Sequence, residues 1–121
     1  MDSIKVTTTN ASRINGVDFK NLGFGTEFSD HMLVCDYKNG KWGAPEIIPY
    51  QTVSLMPSSK IFHYGQSIFE GMKAYKDNNN QTWLFRPEEN FKRFNISAKR
   101  LAIPELQKKS VYWRAKKIIK S

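Results

Sequence analysis

The chain has 121 residues, of which 40% are hydrophobic and 13% aromatic, and this composition suits one domain with a modest core. Its formal net charge is +8, but residues 1–105 contain 13 basic and 11 acidic residues, whereas residues 106–121 contain six basic residues and no acidic one. A nearly neutral body argues against a nucleic-acid partner, and the lack of a long apolar run argues against a membrane span or a secretory signal.

The first half of the chain predicts a polar arm followed by two strands. Residues 1–22 are polar and aperiodic, which indicates a flexible or surface-hugging arm. His31–Tyr37 is an apolar run typical of a strand, and the Asn-Gly pair within Lys38–Lys41 predicts a tight turn. Glu46–Ile48 is then expected to be the returning strand.

The second half predicts helices on either side of a hairpin. A short helix is expected around Tyr64–Met72, and two strands, Ala74–Tyr75 and Trp83–Phe85, are expected on either side of a polar turn. The strongest helix signal begins at Arg86-Pro87, because proline suits a first helical position and two glutamates follow it. The apolar face predicted for this helix comprises Phe91, Phe94, Asn95, Ala98, Leu101 and Ala102, and Pro104 is expected to end it. The pattern predicts an α+β fold, with a small antiparallel sheet and two or three helices.

The cysteine and the histidines do not predict a metal site. Cys35 is the single cysteine, which excludes an internal disulfide, fits a reducing compartment and, in its apolar run, predicts a buried small hydrophobic residue. His31 and His63 are too far apart to form a local ligand pair, and each is expected to be an ordinary hydrogen-bonded histidine. We therefore expect a cytoplasmic protein that binds neither a metal, a nucleic acid nor a membrane.

Four segments of the chain form a recognisable pattern by their order and spacing: Phe24–Leu33, Ser54–Pro57, His63–Tyr75 and Leu84–Arg93. Together they resemble the small domain of the class IV pyridoxal-phosphate aminotransferases, and within that family they are most similar to the branched-chain amino acid aminotransferases. The resemblance covers residues from about Val17 to Glu105. It implies the N-terminal half of a two-domain fold, with residues 1–22 as an arm, 23–105 as the small domain and 106–121 as a basic tail that does not match the family.

The resemblance also implies roles for four residues. Arg93 matches the arginine that binds the cofactor phosphate, a role that suits a planar fork of donors. By helical periodicity alone, Arg93 would be a solvated surface residue. Phe24, Tyr64 and Phe69 match the apolar wall of the substrate pocket, although Phe69 could instead pack in the core and Tyr64 could cap a helix. Glu70 is assigned a structural role.

The implied activity is transfer of the amino group of leucine, isoleucine or valine to 2-oxoglutarate, with pyridoxal 5'-phosphate as cofactor, by a homodimer. The resemblance places the family's Schiff-base lysine in the large domain, so this chain is expected to contain no catalytic residue and to be inactive alone. Two alternatives are open. One is another class IV enzyme, a D-amino acid aminotransferase or an aminodeoxychorismate lyase. The other is a non-catalytic interaction module with a basic tail.

A separate hypothesis concerns the tail at residues 106–121. Its abrupt change of charge and its mismatch with the family indicate a frameshifted or truncated product of a longer gene. The alternative is a natural terminus in which Val111, Ala115, Ile118 and Ile119 form a short amphipathic helix.

Overall fold

A computed structural model of the chain describes residues 4–107, which form a small α+β protein with mainly antiparallel strand pairs and two α-helices. This confirms the predicted α+β class and the number of helices, but the strands form three small sheets where one antiparallel sheet was predicted. The chain divides into two compact units, with the boundary between Ser54 and Leu55, so the predicted small domain at 23–105 includes this boundary. Of the predicted tail at 106–121, residues 108–121 lie outside the described residues. No helix in residues 4–107 is long and apolar enough to cross a membrane.

The first unit contains five short strands and one turn of 3₁₀ helix at Ile14–Gly16. The strands are β1 (Lys5–Val6), β2 (His31–Val34), β3 (Tyr37–Lys38), β4 (Lys41–Trp42) and β5 (Glu46–Pro49). β5 lies between β1, which is parallel to it, and β2, which is antiparallel with Leu33 opposite Ile47. The arm predicted at residues 1–22 therefore supplies an edge strand, which its polar composition did not predict. Ile47, on the central strand, is buried with 8% of its surface exposed.

The strand predicted at His31–Tyr37 is interrupted, because its two ends pair with different partners. β2 pairs with β5, whereas β3 forms a hairpin with β4. The predicted Asn-Gly turn is confirmed, since Asn39 and Gly40 have φ angles of 52° and 77°. At the interruption Gly43 N–H donates to the Asp36 carbonyl at 2.7 Å. Cys35, predicted to be buried, is half-buried there, and partial burial raises the pKa of its thiol.

The second unit contains α1 (Lys60–Tyr64), the strands β6 (Ala74–Lys76) and β7 (Thr82–Leu84), and α2 (Pro87–Arg100). β6 and β7 form the predicted antiparallel hairpin, in which Tyr75 lies opposite Trp83. Asp77 organises its turn: the carboxylate accepts hydrogen bonds from Asn79 N–H at 2.8 Å, Gln81 N–H at 2.9 Å and the Trp83 indole Nε1–H at 2.8 Å. These bonds, led by that of Trp83, lower the pKa of Asp77.

The helix predicted around Tyr64–Met72 is wrong in position. The observed α1 ends at Tyr64, and Gly65 follows in the left-handed conformation with a φ angle of 58°. Gly65 N–H donates back to the Lys60 carbonyl, the arrangement in which a glycine terminates a helix. The loop that begins at Gly65 therefore carries the residues that the prediction assigned to a helix.

The helix predicted from Arg86-Pro87 is confirmed as α2. Pro87 is buried at its start, Glu88 and Glu89 complement its positive end, and Lys99 and Arg100 complement its negative end. Within its predicted apolar face Phe91, Phe94 and Asn95 are half-buried and Ala98 is fully buried, but Leu101 and Ala102 lie beyond the helix and are exposed. The helix ends at Arg100, before Pro104, and Ala102 has a positive φ angle of 51°.

Candidate functional site

A charged cluster joins the loop after α1 to the side of α2. The Arg93 Nε–H donates to Glu70 Oε2 at 2.6 Å, and an Nη2 hydrogen of the same guanidinium donates to Glu70 Oε1. The two groups therefore meet side-on through two hydrogen bonds, the bidentate geometry that makes arginine–carboxylate pairs specific.

Glu70 is held by further donors on the loop and on the helix. Its Oε1 accepts from Gly71 N–H at 3.0 Å and from Asn90 Nδ2 at 3.0 Å, and Asn90 Nδ2 also donates to the Gly71 carbonyl at 2.9 Å. Asn90 lies three residues before Arg93, so both project from the same side of α2. We call Glu70, Gly71, Asn90 and Arg93 the Glu70 cluster.

The electrostatics of the Glu70 cluster favour an ion pair at neutral pH. Hydrogen bonding from Arg93, assisted by Asn90, lowers the pKa of Glu70 from its ordinary 4.5 to about 2, while Glu70 raises the pKa of Arg93. The Glu70 side chain is only 11% exposed, whereas that of Arg93 is 69% exposed. The carboxylate is thus the enclosed partner and the guanidinium the accessible one.

Arg93 retains the capacity to bind an anion. A guanidinium has five N–H donors, and the pair with Glu70 uses two of them. The exposure that helical periodicity predicted for Arg93 is confirmed, but the side chain is tied to Glu70 instead of being merely solvated. The structural role expected of Glu70 is supported by the same contacts. No group of three or more potential metal-ligating side chains that could hold an ion occurs within residues 4–107.

Tyr64 directly precedes the loop that begins at Gly65, and Phe69 lies within this loop. Tyr64 is the last residue of α1, 83% exposed, and it lines an open hollow with Lys60, Gln66 and Leu101. Phe69 directly precedes Glu70 and is 91% exposed, so it does not pack in a core of the described residues. The proposal that Phe69 is a core residue is therefore not supported, and its pocket role is still a prediction.

Phe24 belongs to the first unit, where it is fully exposed next to Gly25, which has a φ angle of 73°. Of the four predicted site residues, Arg93 is hydrogen-bonded to Glu70, which follows Phe69 in sequence. The side chains of Phe24, Tyr64 and Phe69 are exposed. The contribution of Asn90 was not predicted from sequence. Its position three residues before Arg93 on the predicted helix is the signal that could have indicated it.

Comparison with known proteins shows that the chain is similar to branched-chain amino acid aminotransferases. The chain is 47% identical over 95 residues to branched-chain-amino-acid transaminase 1 of Bacillus subtilis, a match to 78% of this chain and 27% of that protein. It is 48% identical over 103 residues to the cytosolic branched-chain-amino-acid aminotransferase of Saccharomyces cerevisiae, with 84% of this chain and 27% of the relative covered. Identity to the branched-chain-amino-acid aminotransferase of Dictyostelium discoideum is 46% over 102 residues, covering 84% of this chain and 27% of the relative.

This chain therefore spans little more than a quarter of the length of the relatives that it matches. No protein-family model matches it.

Proposed function

Because this chain belongs, over the segment that it shares with these relatives, to the branched-chain amino acid aminotransferase family, we propose that the complete protein is a branched-chain amino acid transaminase. It would transfer the amino group of leucine, isoleucine or valine to 2-oxoglutarate, with pyridoxal 5'-phosphate as cofactor. The identity of 46–48% to relatives from a bacterium, a yeast and an amoeba carries the proposal.

The Glu70 cluster fits one part of that cofactor. A phosphate group needs several N–H donors in a fixed plane, and Arg93 offers an accessible guanidinium with donors beyond those that Glu70 uses. Arg93 would therefore hold the phosphate. The cofactor, when bound, supplies the electron sink for amino-group transfer. The role of this chain's residues is to bind and orient it.

The three exposed aromatic residues are proposed to form the apolar wall for the substrate side chain. A pocket that selects leucine, isoleucine and valine has to offer apolar surface of limited size. Phe24, Tyr64 and Phe69 are 105%, 83% and 91% exposed, so each ring is available to contact a ligand or another part of the complete protein. The Tyr64 hydroxyl adds one polar group to this wall.

The apolar surface of the described residues supports a larger assembly. Among the described residues the buried hydrophobic side chains are those of Ile47 and Ala98, whereas large apolar residues such as Phe85 and Trp83 are 75% and 58% exposed. We propose that the two-domain class IV fold and a homodimer, built with the part of the protein outside this chain, cover such surface. A cytoplasmic location is proposed with it, since the yeast relative is named as the cytosolic enzyme.

The test uses the complete gene product that contains this segment. Purified with pyridoxal phosphate, it is expected to form glutamate from 2-oxoglutarate in the presence of leucine, isoleucine or valine, and the 121-residue chain alone is expected to give no turnover. D-alanine and aminodeoxychorismate are tested in parallel. A preference for either of them, or no leucine-dependent glutamate, would contradict the proposal.

The phosphate role of Arg93 is tested in the same protein. Arg93→Ala should weaken cofactor binding roughly ten- to hundredfold, the loss expected for a charge-assisted hydrogen-bonding partner. Arg100→Ala is the matched control, because it removes an arginine from the last turn of the same helix without touching the Glu70 cluster. Cofactor affinity is measured by titration and folding by circular dichroism. Equal affinity for the cofactor in the two variants would show that Arg93 is an ordinary surface residue.

A further inference from the structure

We propose that Glu70 is a positioning residue, which holds the Arg93 guanidinium in one orientation so that its outer N–H edge is ready to bind a phosphate. This inference rests on the proposed function, which gives Arg93 the phosphate. It gives a role to a carboxylate whose negative charge, taken alone, disfavours an anion-binding site.

The orientation of the pair leaves the appropriate donors outside it. Glu70 takes the side edge of the guanidinium, formed by Nε–H and one Nη2 hydrogen. The end edge, formed by Nη1 and the second Nη2 hydrogen, lies away from that carboxylate and provides two parallel donors. With the side edge fixed, the plane and direction of the end edge are fixed as well.

The carboxylate is suited to be the fixed partner because it is anchored from two elements. Gly71 N–H and Asn90 Nδ2 both donate to Oε1, and the Glu70 side chain is 11% exposed against 69% for Arg93. A free arginine side chain samples many rotamers and loses that freedom when it binds a ligand. Pairing with an anchored carboxylate removes much of this freedom before the phosphate arrives.

A second effect of Glu70 acts in the opposite direction. Its negative charge repels a phosphate and partly neutralises Arg93, so a purely electrostatic account predicts that removing the charge strengthens anion binding. Positioning predicts that the same change weakens it. Glu70 Oε1 already accepts hydrogen bonds from three donors, and Oε2 accepts one from Arg93. These donors stabilise the negative charge of the carboxylate, so less of it acts on a bound phosphate. On this basis we expect positioning to dominate.

The experiment measures the affinity of the complete gene product for pyridoxal phosphate and, separately, of its cofactor-free form for inorganic phosphate. Glu70→Gln should weaken both by about two- to tenfold, the factor associated with ordering one rotamer-rich side chain on binding. Asn90→Ala keeps the charge of Glu70 but removes an anchor, so positioning predicts a loss in the same direction. Unchanged or tighter binding in both variants would overturn the inference.

A spectroscopic readout separates orientation from general damage. In the unmodified protein the hydrogen-bonded Arg93 Nε–H should give a protected NMR signal, and that signal should be lost or exchange-broadened in Glu70→Gln while circular dichroism is unchanged. A protected signal in the variant would also overturn the inference. If Glu70→Gln does not fold, Asn90→Ala decides the question.

The variant Arg93→Ala makes failure of this inference distinguishable from failure of the proposed function. If Arg93→Ala does not weaken phosphate binding, the phosphate site is wrongly assigned and both proposals fail at this position. If Arg93→Ala weakens binding but the variants of Glu70 and Asn90 do not, only the positioning role is wrong. Arg100→Ala again serves as the control for the loss of one positive charge from α2.

Discussion

Replacing Phe69 by alanine should affect catalysis without affecting folding. The ring is 91% exposed among the described residues, so its removal should change the stability of the 121-residue chain by no more than about 0.5 kcal/mol. Burial of a phenylalanine side chain is worth about 1.5–3 kcal/mol. If that contact forms against the side chain of leucine in the transition state, kcat/KM should fall by roughly ten- to hundredfold.

The assay compares leucine with alanine as the amino donor of the complete gene product. The short side chain of alanine reaches less of the proposed wall, so Phe69→Ala should lower kcat/KM for leucine more than for alanine. Phe85→Ala is the matched control, since Phe85 is 75% exposed but is not a predicted pocket residue. The pocket role of Phe69 would be refuted by an unchanged leucine-to-alanine ratio, or by an equal change of that ratio in Phe85→Ala.

Two further predictions concern stability and are measured by denaturation of the complete gene product in its cofactor-free form. Gly65→Ala should destabilise it by about 1–2 kcal/mol, because the φ angle of 58° at Gly65 is strained for a residue with a side chain although an added Cβ would meet no atom within 4 Å. Gly71→Ala, equally unobstructed but without a positive φ angle, is the control, and equal effects at both sites would contradict the explanation. The pKa of Glu70 is lowered from 4.5 to about 2, so the stability that its carboxylate contributes should be fully present above about pH 4.5 and be lost as the pH falls toward 2. Glu70→Gln should therefore have a lower melting temperature than the unmodified protein at pH 6, and this difference should shrink below pH 4.5. A difference that is independent of pH would show that the carboxylate charge is not responsible.

Local sequence signals predicted the elements that depend on local chemistry. The Asn39-Gly40 turn forms because asparagine and glycine tolerate the positive φ angles of a tight turn. The helix α2 starts at Pro87 because the fixed φ angle of proline suits a first helical position. The edge strand β1 was not predicted, because Lys5–Val6 is short, is followed by a polar run and is stabilised by pairing with a strand about forty residues away. Such pairing depends on tertiary context, which a local pattern does not contain.

The misplaced helix has a similar cause. Residues 64–72 include Ile68, Phe69 and Met72 at spacings that fit a helix, and glycine inside such a pattern lowers the expectation of a helix without excluding it. In the structure Gly65 adopts the left-handed conformation and ends α1. The loop that results carries Glu70 to Arg93, a contact across 23 residues that periodicity could not have predicted.

Arg93 combines an exposed position on α2 with the functional role proposed for it. Periodicity put it on the exposed side of α2, and the side chain is indeed 69% exposed. An exposed arginine without a fixed partner would have many orientations, and an anion would have to immobilise it at a cost in entropy. Here Glu70 is enclosed and is held by Gly71 and Asn90, so the arginine is accessible and oriented at once. Exposure would give a ligand access to Arg93 and the anchored carboxylate would orient its donors, and the proposed phosphate site depends on both.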